Sequence, residues 1–155
     1  MEDYTVNCGC PQSPWVQSAE DYINLDATNT EEVVGVETLR FLLNGHCGIR
    51  NKVRIDQVVD HLVARGIPTT REAFQQGALG ELKRRGIVAT LVYPGASGGL
   101  FIPCDDSEIR QVSEQVFDRV IGELTNLRGM AVHTPNIQTA VDAALHEVQE
   151  QRARL

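Results

Sequence analysis

Residues 55–86 read IDQVVDHLVARGIPTTREAFQQGALGELKRRG, and the fold turns on how this stretch is divided. Ile55, Val58, Val59, Leu62 and Val63 recur at the spacing that gathers apolar side chains on one stripe of a helix. Asp56 stands where an N-cap belongs, and Gly66 where a left-handed residue ends the element. Ile67-Pro68 cannot continue that helix. Thr69-Thr70-Arg71-Glu72 then reads as a capping box, with the Thr69 hydroxyl and the Glu72 carboxylate reciprocally satisfying exposed amides. The spacing predicts a further helix over 69–85 that turns Phe74, Ala78, Leu79 and Leu82 inward and stops at Gly86. Two helices joined by a four-residue turn make a helix-turn-helix unit.

On the N-terminal side, Val33, Val36, Leu39, Phe41, Leu42 and Leu43 predict a helix over 31–44, closed by Gly45. In 49–55, Ile49, Val53 and Ile55 sit at even separations while Arg50, Lys52 and Arg54 take alternate places, which suits a short strand with a wet, basic face. On the C-terminal side, β-rich 87–93, the turn formers of 94–99 and Leu100-Phe101-Ile102 predict a hairpin. A helix is expected from Ser107 to near Gly129, with Ile109, Val112, Val116, Val120, Leu124 and Leu127 on one stripe. Thr134-Pro135 then starts a last helix bearing Ile137, Val141, Ala144 and Val148. Residues 1–31 show no sustained period beyond a short helical turn around Ser18 to Leu25 and read as an arm, with Trp15 as an anchor onto the parent domain. The expected division is an N-terminal arm over 1–31, a central domain over 32–104 and a helical extension over 105–155.

With 155 residues the chain has room for one domain with a real core, plus extensions. No apolar run approaches a membrane span and the first twenty residues lack the order of a signal peptide, so a cytoplasmic location without membrane contact is expected. The net charge of −7 argues by itself against binding phosphate. Its distribution argues otherwise. From Arg40 to Pro103 nine basic side chains face four acidic ones, leaving +5 there and −12 on the remainder. A basic centre between acidic arms points to a nucleic-acid surface, or else to a mixed surface clustered by chance.

The order helix, short strand, helix, helix, hairpin resembles the winged-helix superfamily, with Leu82-Lys83-Arg84-Arg85-Gly86-Ile87 similar to the exit of its third helix into the wing. The resemblance covers about half of the chain and implies an α+β, mostly helical fold: a winged helix-turn-helix with a small antiparallel sheet. It also implies a third helix that enters the DNA major groove, and no enzyme. Mapped onto these residues, Ala73, Gln76, Gly77, Gly80, Lys83 and Arg84 lie opposite the core side, with the two glycines leaving room for a phosphate backbone. Gln76 would read a base edge. Lys83 and Arg84 would neutralise phosphates, Arg71 sits in the first helical turn, and Arg50, Lys52 and Arg54 add the strand's basic face. The wing tip, 94–99, carries no basic residue, which favours a protein partner instead.

Cys8, Cys10, Cys47 and Cys104 form one CxC and two single sites, not a standard finger spacing. In the winged-helix layout the first strand pairs antiparallel with the last, so the resemblance implies that Cys47 and Cys104 are neighbours. The arm's two thiols then close a four-cysteine zinc site over them, with His46 an alternative ligand, or the cysteines are simply buried or free. A regulatory disulfide is a third option. Gly95-Ala96-Ser97-Gly98-Gly99 matches a hydrolase elbow string, but it joins two strands in a chain too small for that fold. The two C-terminal stripes need apolar partners. For 107–128 packing within the chain and dimerisation are equally open, and for the last helix a partner is favoured. The reading that follows is a sequence-specific regulator of transcription, prokaryotic or viral, that binds double-stranded DNA as a homodimer. Its alternative is a protein-binding adaptor in a nucleic-acid-handling complex.

Overall fold

The computed structural model describes residues 8–10, 12–25, 27–92 and 98–155. The fold is α+β and mostly helical, in a winged-helix-like order. Helix α2 (Thr30–Leu43) is capped by Asn29, whose side chain accepts from the Glu32 N–H, and carries Glu31 and Glu32 in its first turn, where the helix dipole favours acids. After it come a single 3₁₀ turn over Ile49–Asn51, strand β1 (Val53–Arg54) and helix α3 (Ile55–Ala64). Helices α4 (Arg71–Gln76) and α5 (Ala78–Arg84) follow, then strands β2 (Ala89–Leu91) and β3 (Gly99–Phe101). β3 lies centrally and pairs antiparallel with both neighbours, Val53 opposite Leu100 and Ala89 opposite Phe101. The core beneath is closed by Leu39, Leu42 and Leu43 of α2, Val58 and Leu62 of α3, Phe74 of α4, Leu79 and Leu82 of α5, and Leu100 and Ile102.

Several elements differ from expectation. The strand expected over 49–55 is two residues long, because Ile49–Asn51 coil into a 3₁₀ turn. The cap of α3 is Arg54 rather than Asp56, with the Gln57 side chain accepting from the Arg54 N–H and Asp56 in the first turn. The next helix starts one residue late: Thr70, not Thr69, accepts from the Ala73 N–H at 3.1 Å, and Glu72 accepts from Gln76 instead of closing a box.

The largest difference is that the helix expected over 69–85 is two helices. The chain breaks at Gly77, whose N–H still bonds the Ala73 carbonyl and whose own carbonyl starts α5 by accepting from Glu81. A Cβ at Gly77 would stand 2.9 Å from the Ala73 carbonyl oxygen, and one at Gly80, which is buried, 3.3 Å from that of Gln75. The two glycines thus serve a close approach within the chain. They do not line an exposed face awaiting phosphate.

Residues 14–23 of the expected arm form a ten-residue helix, α1 (Pro14–Ile23), longer than the turn expected there. Ser13 caps it, Pro14 occupies its first position, and Val16, Ala19 and Tyr22 are buried in the same core, with Trp15 packed at its edge. The Ser13 hydroxyl also donates to the Pro103 carbonyl at 2.6 Å, which ties the helix to the exit of β3.

The chain divides into two compact units, residues 1–109 and 110–155. Most of α6 (Asp106–Met130) and all of α7 (Pro135–Ala153) make the second. Within it Arg128 meets Asp142 at 2.7 Å, and Arg152 meets Asp118 at 2.9 Å and Glu114 at 3.9 Å, as in an antiparallel helix pair. Ala131, Val141 and Leu145 are buried, whereas Val116, Leu127, Met130, Val132 and Ile137 are exposed. Among the described residues no helix is long and apolar enough to cross a membrane.

Candidate functional site

The basic side chains singled out in the sequence are spread over the stretch from the 3₁₀ turn to α5. Arg50 projects from the 3₁₀ turn and Arg54 from the end of β1, where it caps α3, both exposed. Lys52 is different. It is half-buried, its ammonium donates to the Ile49 carbonyl at 3.1 Å, and its stem lies so close to Gly99 that a Cβ there would meet its Cδ at 2.7 Å. It is a structural cation first.

Arg71 and Gln76 stand on the exposed side of α4, and Lys83 and Arg84 in the last turn of α5. Arg71 reaches Asp56 at 3.7 Å and Gln76 donates to Glu72 at 3.3 Å. Glu81 takes Arg84 at 3.2 Å and Arg85 at 2.8 Å, and these hydrogen bonds, that from Arg85 first, hold its carboxyl below the usual range. Among the described residues Lys83 has no ion-pair partner. Acids at 56, 72 and 81 therefore thread the basic face. Ion pairs this exposed contribute little and exchange readily for another anion.

Arg85, counted among the basic residues of the sequence but given no role there, lies over the Tyr22 ring, 5.5 Å from its centroid. Burial pushes the Tyr22 hydroxyl up, and the Arg85 charge opposes that shift. No sequence signal gave this contact, since it depends on α1 docking beside α2 and α5. The wing tip and most of the hydrolase-like string, 93–97, lie outside the described residues.

The four cysteines converge. β1 and β3 pair antiparallel, Cys47 bridges Ile102, and Cys104 follows two residues later. Cys8 and Cys47 are joined as one disulfide and Cys10 and Cys104 as another, at Cα separations of 5.6 and 5.5 Å. The sulfurs of Cys8, Cys10 and Cys47 all lie within 4.8 Å of one another. His46 is not part of the group: its Nδ1 is 2.9 Å from the Asn51 carbonyl oxygen and its ring stacks on Phe41. His61 is tilted against the same Phe41 ring, with its Nε2 3.2 Å from Glu37.

Sequence reading missed Glu108. It is buried, and its carboxylate accepts from the Ile49 N–H and the Cys104 N–H, each at 2.6 Å. The available signal was an acid in the first turn of a helix, four residues after a cysteine.

A protein of Methanocaldococcus jannaschii that carries the provisional name control protein C.MjaVP is 44% identical over 142 residues, which cover 88% of this chain and 87% of the relative. The chain belongs to the C.MjaVP family. No family model matches it. The overlap takes in most of the chain, so membership rests on far more than the helix-turn-helix segment.

Proposed function

We propose that this member of the C.MjaVP family is a regulator of transcription that binds double-stranded DNA through a winged helix. The observation that carries the reading is the exposed basic face made by Arg50, Arg54, Arg71, Lys83 and Arg84 on a chain whose net charge is −7. A relative named as a control protein is in keeping with it. Helices α4 and α5 together take the place of the recognition helix. Lys83 and Arg84 meet phosphates, Gln76 a base edge, and the ion pairs to Glu81 and Asp56 open in exchange. Residues 32–104 are the DNA-binding module, 1–31 support it, and 105–155 join two copies, whose symmetry would match a two-fold DNA site. The exposed Val116, Leu127 and Ile137 favour that dimer. The protein works in the cytoplasm and catalyses no reaction on this reading.

Selection of bound duplexes from a random-sequence pool tests specificity. Enrichment of a two-fold symmetric motif is the expected result, and a pool left unenriched contradicts it. A second reading, a winged-helix adaptor that docks on another protein, is favoured by the acids that already engage Arg71, Arg84 and Arg85. It predicts co-purification of a stoichiometric protein partner and no selected duplex.

A further inference from the structure

We propose that once a thiol reductant has opened the two disulfides, Cys8, Cys10, Cys47 and Cys104 together bind one zinc ion, which clamps the N-terminal segment to the strand that leaves the wing. Cys8 and Cys10 belong to different pairs yet are separated by Gly9 alone, so both pairs meet at one place. Three of the sulfurs lie within 4.8 Å of one another and the fourth, that of Cys104, is paired with one of them. Four thiolates at about 2.3 Å from zinc sit on a tetrahedron with edges of about 3.8 Å, which fits inside the 4.8 Å span of the Cys8, Cys10 and Cys47 sulfurs once the disulfides open. Two independent cross-links require no such convergence.

The surroundings hold the ligands in place without help from the sulfurs. The Glu108 carboxylate fixes the backbone after Cys47 and the backbone of Cys104 by its two 2.6 Å hydrogen bonds. Ser13 fixes the third segment by its hydrogen bond to Pro103. Gly48 follows Cys47 at φ +85°, and a Cβ there would stand 3.2 Å from the Cys104 sulfur, so the turn is closed by a residue without a side chain. Cys47 is 3% exposed and the other three cysteines pack against the core. Four soft sulfur donors with no open position suit a structural rather than a catalytic ion. In the reduced chain zinc displaces the protons of the four thiols, leaving a site of charge −2 beside the turn where the Lys52 ammonium is anchored. The site stands independently of the DNA-binding reading.

The test is metal analysis of the full chain, purified under reducing conditions without chelator, with thiols counted by an organomercurial. The expected result is about one zinc per chain, released as four thiols titrate. Cobalt(II) in its place should give the intense visible bands of a tetrahedral site and sulfur-to-cobalt charge transfer. Replacing Cys8 and Cys10 together by serine should lower zinc content at least about tenfold. Because that variant risks unfolding, the cobalt spectrum of the unaltered chain decides. Zinc-free protein whose mass shows two disulfides, four free thiols that bind neither metal, or zinc retained by the serine variant would each overturn the proposal.

Discussion

Glu108 carries more of the structure than its place on an acidic helix implies. Its buried side chain takes two backbone N–H groups from half-buried turns 59 and 4 residues away. Truncation to alanine should cost about 2–4 kcal/mol of unfolding free energy, read from urea denaturation. A cost below about 0.5 kcal/mol would mean that water replaces the carboxylate. Lys83 and Arg84 act at the same scale but on a partner. Replacing both by alanine should leave the melting temperature nearly unchanged and lower the slope of log affinity against log salt by about 2 for duplex DNA. Fluorescence anisotropy at several salt concentrations measures it. The basic residue types were legible from the sequence, because charge needs no fold to be counted. Their partners were not: whether Arg84 faces solvent or Glu81, and whether Lys52 is spent on the Ile49 carbonyl, depends on the backbone path.

At the scale of elements, apolar periodicity identified α2, α3, α6 and α7, since each carries a stripe long enough to set its own period. It failed at Gly77. Phe74, Ala78 and Leu82 keep helical spacing through the break, so the pattern could not register it, and the two glycines were assigned to a ligand instead of to the neighbouring carbonyls. An unbroken helix would gain about 1 kcal/mol from Gly77→Ala. The broken one should lose about 1–3 kcal/mol, because the new methyl meets the Ala73 carbonyl oxygen at 2.9 Å. The sign of the change in thermal stability separates the two. Helix α1 reads only as a short turn: Val16, Ala19 and Tyr22 do keep helical spacing, but the stripe is short and holds one small residue, and only docking reveals it as core. Ser13→Ala removes both its cap and its bond to Pro103, and should cost about 1–3 kcal/mol by chemical denaturation.

The whole chain joins a basic module to an acidic helical extension. The stripe expected along α6 is at best half-buried, and a pair of helices closing over Ala131, Val141 and Leu145 leaves apolar surface to be covered. Sedimentation equilibrium should give twice the mass of the 17.1 kDa chain, and Val116→Glu with Leu127→Glu should return it to one chain without loss of helical signal. The convergence of the cysteines belongs to this scale too. The strand pairing implied by the resemblance placed Cys47 beside Cys104, but only the docked N-terminal segment brings Cys8 and Cys10 to them. The central claim, that a chain of net charge −7 nonetheless binds DNA through α4, α5 and the β1 region, is tested most directly by its affinity for a duplex between about 50 and 200 mM salt. Binding should weaken by about a hundredfold or more across that range, as about five phosphate contacts require. Absence of binding at the lowest salt, or an affinity unchanged by salt, would contradict it.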